Sequence, residues 1–232
     1  MRIFLAVAMI VSMLPVAANA KPNADAISAS EVTEGFRISP IPEAQLTFKR
    51  GQRASVGRGS YIVNAPGACS GCHSYPEFLA AAPGDPFNGL PSAQTLKTIT
   101  SADYNTTHYL AGGQCFGPFM ARNITPDSTT GLPADLSETD FITMMRTGAD
   151  LECTNDPTDP ICAIEPPTPV LQVMPWPAYH NSTDQSLKDI YAYLSALPHA
   201  DPCNTPADGC PVGSAPYTYP ATADCPNPAS SQ

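Results

Sequence analysis

The chain has 232 residues, a formal net charge of −10 at pH 7, and 27 prolines. The negative charge argues against binding to nucleic acid or to anionic lipid, because both are polyanions that attract basic surfaces. The prolines indicate a loop-rich protein, since each removes a backbone donor and disfavours the interior of a helix or strand.

The N-terminal segment has the three parts of a secretory signal peptide. One positive charge, Arg2, precedes an apolar run over Ile3–Ala17, and small residues end the segment at Ala20. The run is shorter than the about 20 residues that a membrane-spanning helix needs, so we expect cleavage after Ala20 rather than a membrane anchor. No later segment is apolar enough to span a bilayer. The sequence therefore predicts a periplasmic or secreted mature chain that starts at Lys21 and has no membrane span.

Residues 21–54 are predicted to form an extended N-terminal lead-in, because prolines that oppose helix recur there. These are Pro22, Pro40 and Pro42. A short helix is predicted over Ser55–Ala65, where apolar residues recur on one side. The dipeptide Pro66-Gly67 then ends this helix directly before a cysteine motif.

That motif, Cys69-Ser-Gly-Cys72-His73, has the spacing of an attachment site for a c-type haem. Each thiol can add across a vinyl group of the porphyrin, and His73 is then held under the iron as an axial ligand. We expect the His73 ring to be oriented by a hydrogen bond to a backbone carbonyl, as in other metal-bound histidines. A redox pair or half of a zinc site are the alternatives, but no strand–helix–strand pattern and no further ligands at matched spacing accompany the motif. One motif predicts one haem.

Six further cysteines and an export signal predict up to three disulfide bonds. The six are Cys115, Cys153, Cys162, Cys203, Cys210 and Cys225. Cys153 and Cys162 flank a turn-rich loop and are the favoured pair. The remaining connectivity stays open, and a second metal centre has no support from the spacing.

Two more helices are predicted downstream of short strands around Thr95–Thr100. Ser137 and Asp140 resemble a capping box that opens the first of these helices, and Gly148 suits its C-cap. The second is the clearest helix of the chain, over Asp184–Leu197. Ser182 and Gln185 are predicted to cap it, Pro198 stops it, and apolar residues recur along one face. Those residues are Leu187, Ile190, Tyr191, Leu194 and Leu197.

An iron ligated by His73 has a second axial position, for which methionine and histidine are the candidates. The candidates are Met120, Met144, Met145, Met174, His108, His180 and His199. We favour Met174, because neighbouring prolines fix an extended backbone that can hold its thioether. Met144 and Met145 fall on a predicted helix, where core packing is the commoner role of methionine. The others stay open as weaker candidates. Trp176 and Tyr179 are expected to pack on the haem, to hydrogen-bond a propionate, or to pack in the core.

The residues around the motif resemble a known family. Gly57–Val63 leading into Cys69–His73 is similar to the first helix and haem motif of class I cytochromes c. Four further runs are similar to haem domains in the cytochrome c subunits of periplasmic alcohol, gluconate and sorbitol dehydrogenases. The runs are Asn123-Ile-Thr-Pro-Asp127, Met145-Arg-Thr-Gly148, Met174-Pro-Trp176 and Asp189-Ile-Tyr-Ala-Tyr-Leu194.

This resemblance covers roughly residues 56–198 and implies that Met174 is the second axial ligand. It also implies that Asn123 and Thr125 lie near the haem propionates. The chain departs from the family in two respects: those subunits usually carry three haem domains, and they tend to have a membrane-binding C-terminus. Here one motif is present, and residues 201–232 form a polar tail rich in proline and cysteine.

The sequence thus predicts a mainly α-helical, class I cytochrome c-like haem domain with long loops over residues 55–200, followed by a disulfide-bearing tail over residues 201–232. Its expected role is the transfer of single electrons by one haem c, attached covalently through Cys69 and Cys72 and ligated by His73 and Met174, with no catalytic residues. The expected partners are redox proteins: a dehydrogenase as donor, and a cytochrome or oxidase as acceptor. An acidic surface suits a partner with a basic docking face.

Two other function classes stay open. A haem enzyme that acts on a small sulfur compound or on peroxide would need an open or unusual sixth iron position, or a second haem. The Met174 segment and the single motif argue against it. A gas-binding sensor is the other class, and no signalling segment follows the predicted haem domain.

Overall fold

The computed structural model describes residues 27–78, 100–116, 119–151, 154 and 170–203, apart from the side chain of Cys115. These residues are mainly helical, as the sequence predicts. In chain order the helices and strands are α1 (Ala29–Ile38), α2 (Arg53–Asn64), α3 (Ser70–His73), β1 (Cys115–Phe116), β2 (Phe119–Met120), α4 (Glu138–Thr147), α5 (Trp176–Tyr179) and α6 (Asp184–Ala196). The two strands pair as an antiparallel hairpin. Short 3-10 turns occupy Glu43–Gln45, Arg50–Gln52 and Ser101–Asp103.

Helix α1 corrects the prediction of an extended lead-in over residues 21–54. A proline restricts its own position and its neighbours, and α1 ends before Pro40. Within the helix, Val32 is buried and Phe36, one turn later, packs against the hydrophobic core. Glu31 in the first turn and Arg37 in the last turn carry the charges that the helix dipole favours. The stretch is therefore an amphipathic helix that prolines flank but do not interrupt.

Helix α2 lies at the centre of the described structure, with α1 packed on one side and α6 on the other. Val56 and Val63 are fully buried, and burial of such a side chain contributes about 1.5–3 kcal/mol. The crossing with α6 is close at Gly59, where an added Cβ would lie 1.9 Å from the carbonyl oxygen of Asp189. Only glycine allows the two backbones to approach this closely.

We expect Gly59→Ala to destabilise the protein by about 3 kcal/mol or more, because the new methyl group would force two core helices apart. Urea denaturation would measure the change in the free energy of unfolding. Gly51→Ala is the matched control, since nothing lies within 4 Å of a Cβ at that position. Equal stability of the two variants would contradict the close crossing.

An ion-pair cluster joins the same three helices. Arg58 on α2 donates from Nε to Glu31 of α1 (2.9 Å) and from Nη1 to Asp189 of α6 (2.8 Å). Its Nη2 also donates to Ser186 Oγ at 3.1 Å. The Asp189 side chain is fully buried, so its negative charge needs this partner, since an unpaired buried charge is strongly unfavourable.

The downstream helices form where the sequence predicts them. Ser137 caps α4 by accepting a hydrogen bond from the Asp140 N–H at 3.2 Å, and Gly148 ends the helix in the left-handed conformation. Helix α6 buries the predicted stripe, with Tyr191 half-buried in it. Its cap differs from the prediction: Thr183, not Ser182, accepts a hydrogen bond from the helix, from the Ser186 N–H at 3.1 Å. The cap therefore lies one residue later than the sequence pattern indicates.

Several predictions fall outside the described residues. They concern the signal peptide, the strands around Thr95–Thr100, the Cys153–Cys162 pair and the tail beyond Cys203. Cys203 itself is buried. Five of the six cysteines outside the motif have side chains that are not described, so their pairing stays a prediction. None of the described helices is both long and apolar enough to cross a membrane.

Candidate functional site

The cysteine motif lies on the wall of a cavity bounded by α3, the β1–β2 hairpin, α4 and the segment 171–175. Its volume is about 1220 Å³ including the open mouth. Much of the wall is apolar, which excludes water from whatever binds there. The apolar side chains include Phe116, Phe119, Ile124, Phe141, Ile190 and Leu194.

Helix α3 is a single turn that carries the motif along this wall. The Cys69 carbonyl accepts hydrogen bonds from the backbone N–H groups of Cys72 (3.2 Å) and His73 (2.9 Å). This closes one helical turn between the two cysteines, as their spacing predicts. Both thiols are free, and both cysteines and His73 line the cavity.

The two thiols are held in the protonated form. Burial raises the pKa of Cys69 to about 11, and a hydrogen bond with Tyr179 offsets part of the rise. Burial also raises the pKa of Cys72, with a further contribution from the nearby Glu77 carboxylate. A protonated thiol is a poor nucleophile and a poor metal ligand. Among the described residues, moreover, no three His, Cys, Asp or Glu side chains gather as a metal site. The protonated thiols argue against a dithiol redox pair, which reacts as a thiolate.

His73 makes the predicted hydrogen bond to a backbone carbonyl. Its Nδ1 lies 2.8 Å from the carbonyl oxygen of Arg122. Because a carbonyl only accepts, Nδ1 carries the proton, and Nε2 keeps the lone pair that binds a metal. Burial lowers the pKa of His73, although the hydrogen bond to Arg122 opposes this. The neutral, ligating form of the imidazole is therefore favoured.

All four methionines proposed as second ligands line the cavity. Met120 lies on β2, Met144 and Met145 lie on α4, and Met174 lies in the segment before α5. Met120 and Met145 are almost completely buried, whereas Met144 and Met174 are half-buried. Their location in the fold therefore does not by itself show which methionine is the second iron ligand.

The segment that carries Met174 is bent, which corrects the extended backbone predicted from its prolines. Residues 172–174 form bends, and Pro177 lies in the first turn of α5. A proline is tolerated there because the first-turn N–H groups have no partner within the helix. The Trp176 N–H donates to the Met174 carbonyl at 2.8 Å. Met174 is thus part of a tight turn that leads into α5.

The same segment is fixed against the end of α4 at Gly148. The Gly148 carbonyl accepts a hydrogen bond from the Leu171 N–H at 2.8 Å. The indole of Trp176 covers Gly148 so closely that an added Cβ would lie 2.3 Å from the ring. Farther along, the Arg146 guanidinium donates to the His180 carbonyl, and His180 Nδ1 donates to the Arg146 carbonyl at 2.5 Å. The chain is therefore anchored on both sides of Met174.

The chain's other three histidines do not line the cavity. Each instead places Nδ1 against a backbone carbonyl: His108 at Asp201 (2.7 Å), His180 at Arg146 (2.5 Å) and His199 at Pro126 (2.8 Å). These rings support loops and the start of the tail. Their position removes them as candidates for the second iron ligand.

Asn123 and Thr125, expected near the haem propionates, point their polar groups elsewhere. The Asn123 side-chain oxygen accepts hydrogen bonds from the N–H (2.9 Å) and the hydroxyl (2.7 Å) of Thr125. Its amide nitrogen donates to the Ala200 carbonyl at 2.8 Å. Neither residue lines the cavity. The pair builds a turn and ties it to the chain after α6, and its place near the propionates stays a prediction.

Tyr179 and Trp176 have different roles. Tyr179 lines the cavity and donates its hydroxyl to the Gly67 carbonyl at 3.0 Å, beside Cys69. Burial raises the pKa of Tyr179 well above its usual value, so the phenol stays protonated. Trp176 packs on Gly148 instead and does not line the cavity.

One charged pair on the cavity wall was not predicted from the sequence. The Arg122 guanidinium binds the Asp150 carboxylate through two hydrogen bonds of 2.7 Å each, and both residues line the cavity. Arg122 directly precedes the Asn-Ile-Thr-Pro-Asp run, and Asp150 follows Gly148 by two positions. Nothing in that spacing indicates that the two meet, since the contact depends on how α4 packs.

Comparisons with known proteins found two curated relatives. The chain is 32 % identical over 158 residues to the gluconate 2-dehydrogenase cytochrome c subunit of Pantoea cypripedii. It is also 32 % identical over 93 residues to the cytochrome c subunit of an alcohol dehydrogenase (quinone) of Gluconobacter oxydans. No family model matches the chain, and no solved structure matches it.

These matches cover 68 % and 40 % of this chain. They cover 26 % and 16 % of the relatives, so the chain spans about a quarter or less of either one. The chain is therefore cytochrome c-like in sequence, in agreement with the resemblance seen around its motif. The matched proteins are subunits that, by their names, serve dehydrogenases.

Proposed function

We propose that this chain is an exported monohaem c-type cytochrome that carries single electrons, with His73 and Met174 as its iron ligands. The observation that carries the proposal is the placement of Cys69, Cys72 and His73 together on the wall of a mostly apolar cavity. The hydrogen bond from His73 Nδ1 to the Arg122 carbonyl supports it, because it leaves Nε2 as the ligating nitrogen.

The residues on this wall fit a covalently attached haem. Two neutral thiols stand one helical turn apart, each with the S–H group that adds across a vinyl double bond. The neighbouring imidazole is neutral, and its ring is held at Nδ1. Met174, which also lines the cavity, would supply the soft thioether ligand that c-type haem iron takes together with histidine.

When bound, the haem supplies a one-electron Fe(III)/Fe(II) couple. The chain's own residues bind it through Cys69 and Cys72, and His73 and Met174 hold the iron. The apolar side chains exclude water, and the anchor at Gly148 limits movement of the Met174 segment. A methionine ligand raises the reduction potential, which suits an electron carrier.

The redox partners follow from the relatives and from the charge. Both relatives are, by name, cytochrome c subunits of dehydrogenases, so we propose a periplasmic dehydrogenase as electron donor and a respiratory cytochrome or oxidase as acceptor. The net charge of −10 favours a partner with a basic docking face. Export through the N-terminal segment would bring the chain to the compartment where such partners act.

Expression of the full chain in a host that attaches c-type haem would test this function. We expect one haem per chain that stays attached on a denaturing gel, a mature N-terminus at Lys21, and a low-spin spectrum in the oxidised protein. Cys72→Ala should lose one of the two thioether bonds. Gly71→Ala should retain both, since it lies inside the motif and an added Cβ there has nothing within 4 Å. A haem-free chain would refute the proposal, and a high-spin spectrum would favour a haem enzyme.

A further inference from the structure

Arg122 belongs to the proposed haem site through both its backbone and its side chain. Its backbone carbonyl accepts the hydrogen bond from His73 Nδ1 at 2.8 Å. Its guanidinium binds Asp150 in a two-pronged pair, Nη1 to Oδ1 and Nη2 to Oδ2, each at 2.7 Å. The two side chains are only 11 % and 10 % exposed. One residue thus links the proposed iron ligand to a nearly buried ion pair.

Packing alone gives no reason for charges at this place. Removing two charges from water is costly, and an apolar pair of similar volume often serves stability as well or better. Among the described residues, the pair of Arg58 with the fully buried Asp189 joins neighbouring helices of the core. Arg122 and Asp150 lie instead on the cavity wall, among the apolar side chains that would surround the haem. Their charges therefore act mainly on what the cavity holds.

We propose that the Arg122–Asp150 pair tunes the reduction potential of the haem by holding opposite charges on the cavity wall that also carries the His73 ligand. This inference rests on the proposed electron-transfer function. Oxidation adds one positive charge at the iron, so a nearby guanidinium favours the reduced form and a nearby carboxylate favours the oxidised form. Both side chains are nearly buried, so solvent screens these effects only weakly. The paired charges largely offset each other, and each holds the other in place.

The effect of each charge on the reduction potential can be measured separately with neutral variants of similar shape. Asp150→Asn removes the negative charge of the pair and should raise the potential. Arg122→Gln removes the positive charge and should lower it. We expect each to change the equilibrium constant for reduction by about tenfold, which is about 59 mV for one electron. The double variant should return close to the parent value.

Two further variants complete the test. Arg122→Lys keeps the charge, so its potential should stay closer to the parent than that of Arg122→Gln. Glu43→Gln is the control for a charge change at the surface, since Glu43 pairs with Arg53 and both side chains are well exposed. It should leave the potential unchanged. The readout is a potentiometric titration of the holoprotein followed by its haem absorbance.

Shifts of opposite sign that cancel in the double variant would support the inference. Shifts of the same sign, or none, in variants that keep the parent's low-spin spectrum would overturn it, since loss of packing alone has no reason to reverse sign. If Arg122→Gln does not fold, the inference rests on Asp150→Asn raising the potential while Arg122→Lys leaves it near the parent. A parent chain without haem would instead refute the proposed function.

Discussion

Met174→Leu is expected to abolish the weak far-red absorption band that a methionine sulfur bound to Fe(III) gives the oxidised protein. The reduction potential should fall on the order of 0.1 V, within the about 0.8 V range that axial ligands span. Covalent haem should remain, because Cys69 and Cys72 are untouched. Optical spectra and potentiometric titration would measure both changes.

Leucine is the informative substitution, because it keeps the volume of methionine and removes only the sulfur. Such a swap usually costs less than about 1.5 kcal/mol, so the fold should persist. The controls are Met120→Leu, Met144→Leu and Met145→Leu, since these three methionines line the same cavity. All three should keep the band. If the band survives in Met174→Leu and disappears in one of the others, the second ligand is that residue instead.

The sequence predicted those parts of the fold that depend on local signals. The Ser137 cap, the left-handed Gly148 and the apolar stripe of α6 all involve residues within a few positions of one another, and the structure has all three. Helix α1 was not predicted, because the prolines of residues 21–54 were taken to disfavour helix over that whole range, although α1 ends before Pro40. The helix is also supported by packing on α2, which no local signal describes.

The candidate site likewise contains some residues that a local motif predicts and others that only the fold brings together. Cys69, Cys72 and His73 form a contiguous motif, so their chemistry is readable from the sequence alone. Arg122 and Asp150 come from two separate segments and meet only because α4 packs against the cavity. Asn123 and Thr125 were assigned to the haem through their motif. In the structure their side chains form hydrogen bonds within a turn, which the motif alone does not indicate.

Gly148→Ala is expected to destabilise the protein and to weaken Met174 ligation. Gly148 has a φ of +71°, and a side chain in the left-handed region costs about 1–2 kcal/mol. The new Cβ would also lie 2.3 Å from the Trp176 ring, and such overpacking costs about 1–3 kcal/mol. Urea denaturation should therefore report a loss larger than backbone strain alone explains, and the far-red band should shrink.

Gly131→Ala separates these two effects. Gly131 has the same φ of +71°, but nothing lies within 4 Å of a Cβ at that position. It should lose only the about 1–2 kcal/mol of backbone strain and keep the band in full. Trp176→Leu, added to Gly148→Ala, removes the ring that the methyl group meets and should recover part of the lost stability.

The free energy of unfolding and the far-red band together show whether Gly148 holds the Met174 segment in place or only ends α4. If Gly148 only ends α4, then Gly148→Ala and Gly131→Ala should lose similar stability, and both should keep the band. If Gly148 also holds the segment that carries Met174, the band should weaken in Gly148→Ala and not in Gly131→Ala, under conditions where both chains are still folded. Gly148 would then meet two requirements: a left-handed backbone, and a surface flat enough for Trp176 to hold the Met174 turn beside the cavity.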